Sequence, residues 1–313
     1  MQYRVLLTLI SAAALVSGCA SQPKGLDQIR EEADRAALVT ASSGATLIKD
    51  AESRAADASA QETYRFAPVL TREAMASLEE AREVQSKGKA DDAVRSQALA
   101  AIATFDRAIA HTSIARETLA PALAHLEVLN AIGSPAYFPT GYQKVSESFD
   151  GIIRVLEQTG APASTAQSQH QLLTAMHDLE VETIGFINLQ EIRTTLDNLQ
   201  EAGAQKLIPQ SYAVARTALA AAEDLIATSP RAEGGIATLR ERALNSASHA
   251  QVIMAMVNEI LNASPDSAES LVLRTERWLY NIGTALKFPD IRHLPMDEQS
   301  RQLADGVEEL LQR

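Results

Sequence analysis

Apolar residues return along most of this chain every three or four positions, the spacing of one face of an α-helix. The clearest series follow three prolines. After Pro68 come Thr71, Ala74, Leu78, Ala81 and Val84. After Pro139 come Tyr142, Val145, Phe149, Ile152 and Leu156, and after Pro209 come Tyr212, Ala215, Leu219, Ala222 and Ile226. The prolines stand 71 and 70 residues apart. Proline in a first helical turn has no helical hydrogen bond to lose, so each marks a helix start. About twenty residues later each series meets helix breakers: Lys87-Gly88-Lys89, Thr159-Gly160-Ala161-Pro162, and Thr228-Ser229-Pro230 through Gly234-Gly235.

A second, longer helical run follows each turn. The first spans about residues 91–132, with Val94, Ala98, Ile102, Phe105 and Ile109 on a face and Pro121 as a place to kink or break. The second reads as continuous through Glu191-Ile192. The third carries Ile236, Leu239, Ala243, Ala247, Ala250, Met254, Val257 and Ile260. A turn cluster at Asn262-Ala263-Ser264-Pro265-Asp266 then precedes a helix restarting near Ser267. The joins read L-x3-G-x5-P three times: Leu129, Gly133 and Pro139; Leu199, Gly203 and Pro209; Leu279, Gly283 and Pro289. Each predicts a helix ending at Gly and another opening near Pro. Residues 26–62 are helical in character and take the place of a preceding long helix. Residues 297–312 form a terminal amphipathic helix with Leu303, Val307, Leu310 and Leu311. No alternating strand pattern competes. The expected fold is all-α: an elongated array of about three helical hairpins of about 70 residues (66–136, 137–206, 207–286), closed by a cap over 287–313.

Residues 1–18 break this pattern. A short start containing Arg4 is followed by an apolar run at 5–16 (VLLTLISAAALV), too short to span a bilayer and suited to a signal-peptide core. Then comes Leu15-Val16-Ser17-Gly18-Cys19. This resembles the lipobox of bacterial lipoproteins, and the resemblance implies that Cys19 becomes the first mature residue and carries the lipid. With Ala20 rather than Asp next to it, the family's sorting rule implies the outer membrane, facing the periplasm. Residues 19–25 read as a flexible tether, and 26–313 as the helical body.

The tetratricopeptide period of 34 does not fit, and its Trp-Leu-Gly-Tyr signature is missing. Residues 66–111, opening Phe66-Ala67-Pro68, are instead similar to Ala-rich helical outer-membrane lipoproteins, a largely uncharacterised group sometimes associated with OmpA-like peptidoglycan-binding proteins. Alanine occurs 55 times in 313 residues, whereas aromatics make up only 4%. That ratio favours closely approaching helices.

Net charge −12 lacks the basic footprint of a nucleic-acid binder, and one Cys cannot build a disulfide framework. His170 and His177 share a helical face near Asp178 and Glu180, without zinc-motif spacing. Paired carboxylates such as Glu79-Glu80, Asp91-Asp92 and Glu308-Glu309 read as solvated faces. Aromatics gather at the joins (Tyr64, Phe66, Tyr137, Phe138, Trp278, Tyr280, Phe288), where packing between repeats is expected and a peptide or glycan groove is the alternative. No catalytic, metal or cofactor site is expected. The expected function is a membrane-anchored, non-catalytic scaffold or adaptor for an envelope protein or peptidoglycan. The alternative is a periplasmic carrier or chaperone for lipid or unfolded protein.

Overall fold

The computed structural model describes residues 23–312; among them are 14 α-helices and no strand, so the fold class is all-α. The expected leader, Cys19 and the start of the tether lie outside the described residues. Residue contacts divide the chain into two units, up to Thr183 and from Ile184.

The first unit holds α1 (Leu26–Ala37), α2 (Gly44–Ala60), α3 (Thr63–Phe66), α4 (Pro68–Ser86), α5 (Asp91–Thr118), α6 (Ala120–Ala131), α7 (Ser134–Tyr137), α8 (Pro139–Thr159), a 3-10 turn at Pro162–Thr165, and the start of α9 (Ala166–Glu201). Helices α1, α2 and α4 all pack on α5. One helix can carry three neighbours because its contact positions are small: Ala98, Ala101, Thr104 and Ala108 are all buried. Phe105 is the large exception, fully buried among Leu47, Ile48, Leu78 and Val84. A second core joins α6, α8 and α9 through Leu126, Leu129, Phe149, Ile152, Leu172 and Met176.

Two long helical runs are divided here, the second beside Pro121, where a break was expected. Residues 26–62 form two helices rather than one. Ser43 Oγ accepts the Thr46 N–H (3.3 Å), and the Gly44 N–H donates to Asp91 Oδ1 (3.0 Å). Gly44 lies so close to α5 that a Cβ there would stand 2.6 Å from Val94. This cap and close approach begin a new helix where propensity alone would continue the old one. The run at 91–132 breaks at Leu119, and Pro121 sits in the first turn of α6, where its missing N–H costs nothing.

The joins share one backbone geometry. Glu62, Gly133 and Gly203 adopt left-handed φ of 58°, 78° and 87°. A single helical turn follows each: α3, α7 and α10 (Ala204–Leu207). The first residue of each turn (Thr63, Ser134, Ala204) is buried. Then Ala67, Phe138 and Ile208 take φ between −132° and −145°, and Pro68, Pro139 and Pro209 open the next helices. Non-helical backbone before proline follows from the clash of its Cδ with a helical predecessor. The first join lacks the Gly of the L-x3-G-x5-P pattern, yet Glu62 accepts the same left-handed turn; its carboxylate also pairs with Arg116 (2.5 Å).

The second unit runs from Ile184 through α10, α11 (Pro209–Thr228), α12 (Glu233–Leu261), α13 (Pro265–Ala285) and α14 (Met296–Leu311). Two expectations are corrected. Gly234 and Gly235 lie in the first turn of α12 and not in the loop before it; a Cβ on Gly235 would stand 3.0 Å from Leu225. Helix α13 restarts at Pro265, near Ser267 as expected, capped by Ser264 Oγ accepting the Ser267 N–H (3.3 Å). The third L-x3-G-x5-P does not end a helix at Gly283. Helix α13 continues to Ala285, Lys287 takes the left-handed position (φ 58°), and the Phe288 N–H closes back to the Gly283 carbonyl (2.9 Å). Gly283 serves close packing instead, since a Cβ there would meet Leu303 of α14 at 3.3 Å.

Gly306 of α14 is also a packing glycine: a Cβ there would stand only 2.1 Å from the edge of the Phe288 ring. Alanine ordinarily stabilises a helix by about 1 kcal/mol over glycine. Here Gly306→Ala should do the reverse and undock α14, seen as faster amide hydrogen exchange across residues 296–311. Unchanged or slower exchange would contradict this packing role.

Candidate functional site

Cys19, the one site residue expected from the sequence, lies outside the described residues. The end of its tether does not hang free. Pro23 is buried, and the Lys24 carbonyl accepts from the Arg107 guanidinium on α5.

Among the described residues, no three His, Cys, Asp or Glu side chains lie close enough to hold a metal ion. His170 and His177 are both exposed, as are Asp178, Glu79, Glu80, Asp91, Asp92, Glu308 and Glu309. Glu180 turns away from those histidines into the core, where its Oε2 lies 2.7 Å from His125 Nε2 on α6. The join aromatics divide. Phe66 is buried and Phe138 and Phe288 are half-buried, as packing requires, but Tyr64, Tyr137, Trp278 and Tyr280 are exposed.

The most perturbed buried group is one that sequence reasoning missed. Glu157, on α8, is 1% exposed. Its Oε1 accepts the Leu70 N–H at 2.6 Å, and the Val69 N–H also points to it. These are free donors of α4, whose own N-cap residue Ala67 has no side chain to offer. Glu157 therefore caps α4 from another helix. Burial pushes its carboxyl above the ordinary carboxylate range, opposed by the two N–H groups and by Arg72. Glu157 Oε2 has no partner among the described residues. The arrangement ties α8 to the start of α4 and is structural. A signal existed: Glu157 falls four residues after Ile153, inside the apolar arc of α8.

Several open grooves remain, two of them beside charged clusters. One, of about 360 Å³, runs between α1, α4 and α5 and is lined by polar groups including Arg30, Asp34, Glu80 and Gln97. The other, of about 660 Å³, lies between the end of α12 and the start of α13. Arg274 grips Glu259 there with two hydrogen bonds (3.0 and 2.7 Å), and Leu271 lines the groove floor. Beyond it, α13 exposes Val272, Leu273, Trp278 and Ile282. No helix among the described residues is long and apolar enough to cross a membrane. No family model, curated protein or solved structure matches the chain.

Proposed function

We propose that this chain is a lipid-anchored protein of the bacterial cell envelope, held at the periplasmic face of the outer membrane, and that its helical body is a non-catalytic scaffold or adaptor. The observation that carries the reading is Leu15-Val16-Ser17-Gly18-Cys19 behind the short apolar run at 5–16. A thiolate is the one side chain there nucleophilic enough to accept a diacylglycerol group. Each buried methylene of the attached chains contributes about 0.8 kcal/mol, and two or more chains give stable anchoring. The docked Pro23 supports a close anchor: the four residues from Cys19 span at most about 14 Å when extended. The body, read as three hairpin units of about 70 residues, offers surface rather than a cleft of converging catalytic groups, which suits an envelope protein or peptidoglycan as partner.

The test is Cys19→Ser in the native envelope, with fractionation and radiolabelled palmitate. The expected result is loss of label and of stable membrane attachment. A labelled or fully membrane-retained Cys19→Ser protein would overturn the anchor.

A further inference from the structure

In the repeat register, α13 stands where α6 stands in the first unit. A shift of 150 residues carries Leu129, Gly133 and Pro139 onto Leu279, Gly283 and Pro289. The same shift carries Ala122 and Leu126 onto Val272 and Glu276. In α6, Ala122, Leu126 and Leu129 are buried. In α13 none of their counterparts is: Val272 is 56% exposed, and Glu276 and Leu279 are half-buried. Among the described residues of α13 only Gly283 is buried, and it packs on α14. A charge in the place of Leu126 removes the apolar contact that fixes α6 to its neighbours.

What holds α13 instead is local. It follows α12 after Asn262, Ala263 and Ser264 alone. Pro265 excludes a helical Ser264, whose ψ is 164°, so the helix must break there. Helix α12 packs broadly on α11 and makes no comparable contact with α13, while α14 packs on α13 and on no other helix to a similar extent. Gly283, Phe288, Leu303 and Gly306 give α13 and α14 a small core of their own. Between α12 and α13 lies the groove of about 660 Å³, lined by Asn258, Asn262 and Ser270 among others. Across it Arg274 donates to both carboxylate oxygens of Glu259 (3.0 and 2.7 Å), fifteen residues back in the chain. Both side chains are about half exposed, and an exposed ion pair is weak and screened by salt.

We propose that α13 and α14 move together as one arm about residues 262–264, and that the Arg274–Glu259 pair is the clasp that holds the arm against α12. A segment with few buried apolar side chains belongs to the least stable part of a fold, and a few loop residues suffice for a hinge. The Trp278 ring centroid lies 5.8 Å from the Arg274 guanidinium, one helical turn along α13. That contact limits the freedom of the guanidinium and favours its two-bond grip on Glu259. The clasped arm keeps the groove narrow and the released arm widens it, so the pair sets access to Asn258, Asn262 and Ser270. This inference stands without the lipid anchor.

The test is a distance measurement by pulsed electron spin resonance on the full chain carrying Cys19→Ser. One pair of spin labels crosses the hinge, at Val252→Cys on α12 and Leu273→Cys on α13; both positions are exposed. A second pair lies within the arm, at Val272→Cys on α13 and Val307→Cys on α14, also exposed. At low salt the pair across the hinge should give one narrow distance distribution. Glu259→Gln should broaden it roughly twofold, and so should about 1 M salt, where the screening length falls to about 3 Å. Exchanging the charges, with Glu259→Arg and Arg274→Glu together, should restore the narrow distribution. The distance within the arm should stay constant throughout. A distribution across the hinge that is already broad at low salt, that ignores Glu259→Gln and salt, or that the exchange fails to restore would overturn the proposal. A within-arm distance that changes with Glu259→Gln would also overturn it, because the arm would then be unfolding and not swinging.

Discussion

Replacing Phe105 with alanine should destabilise the first unit by about 3–5 kcal/mol. The ring is fully buried where α2, α4 and α5 meet. Its surroundings include Ala51, Ala74, Ala98 and Ala101, which have no flexible side chain to swing into the vacated space. The alanines cannot fill the cavity and Leu47, Ile48, Leu78 and Val84 can close it only in part, so most of the cost remains. Equilibrium denaturation followed by circular dichroism measures the loss. Hydrogen exchange should place it in α2, α4 and α5 first, because these helices form the core around the ring. A loss below about 1 kcal/mol would show that this core repacks freely.

Glu157 should produce the second large effect, with a pH signature. Glu157→Ala leaves the Val69 and Leu70 N–H groups without their acceptor in a buried site, for a cost of about 2–3 kcal/mol. Glu157→Gln keeps an acceptor oxygen and removes the charge. Because burial raises the Glu157 pKa in the folded chain, the folded state holds this proton more tightly than the unfolded state. The contribution of Glu157 is then fully present below the ordinary carboxylate value and is lost as pH rises through the raised one. Relative to the unmodified protein, Glu157→Gln should therefore gain stability from acid toward neutral pH. Denaturation midpoints at a series of pH values test this, and a difference independent of pH would refute the clasp as described.

The post-proline faces were legible because side-chain burial follows the helical period. Val145, Phe149, Ile152 and Leu156 are buried, and so are Ala215, Leu219, Ala222 and Ile226. The turns at Gly88 and Gly160 were legible because both residues adopt left-handed backbone that other residues resist. Glycine was misleading where its purpose was space. Gly235 and Gly283 both sit within helices, each where a neighbouring helix leaves little room for a Cβ. A one-dimensional pattern holds no record of how near the next helix passes. The Glu62 turn was hidden for the opposite reason: a left-handed residue that is not glycine carries no mark in the sequence. Glu157 drew no reading and Glu180 read as a neighbour of His170 and His177, since their true partners, Leu70 and His125, lie 87 and 55 positions away.

The sequence by itself determined the helical class, the three proline-led helix starts and the main apolar faces, because these depend on backbone sterics and on a period of a few residues. It also supplies the apolar run at 5–16 and Cys19, on which the anchor proposal rests. Only the tertiary structure decided which breaks in the pattern end a helix, which glycines make room for a neighbour, which carboxylate caps a distant helix, and which apolar face is left uncovered on α13. Each of these depends on groups far apart in the chain being brought within a few ångströms, a distance that local pattern does not encode.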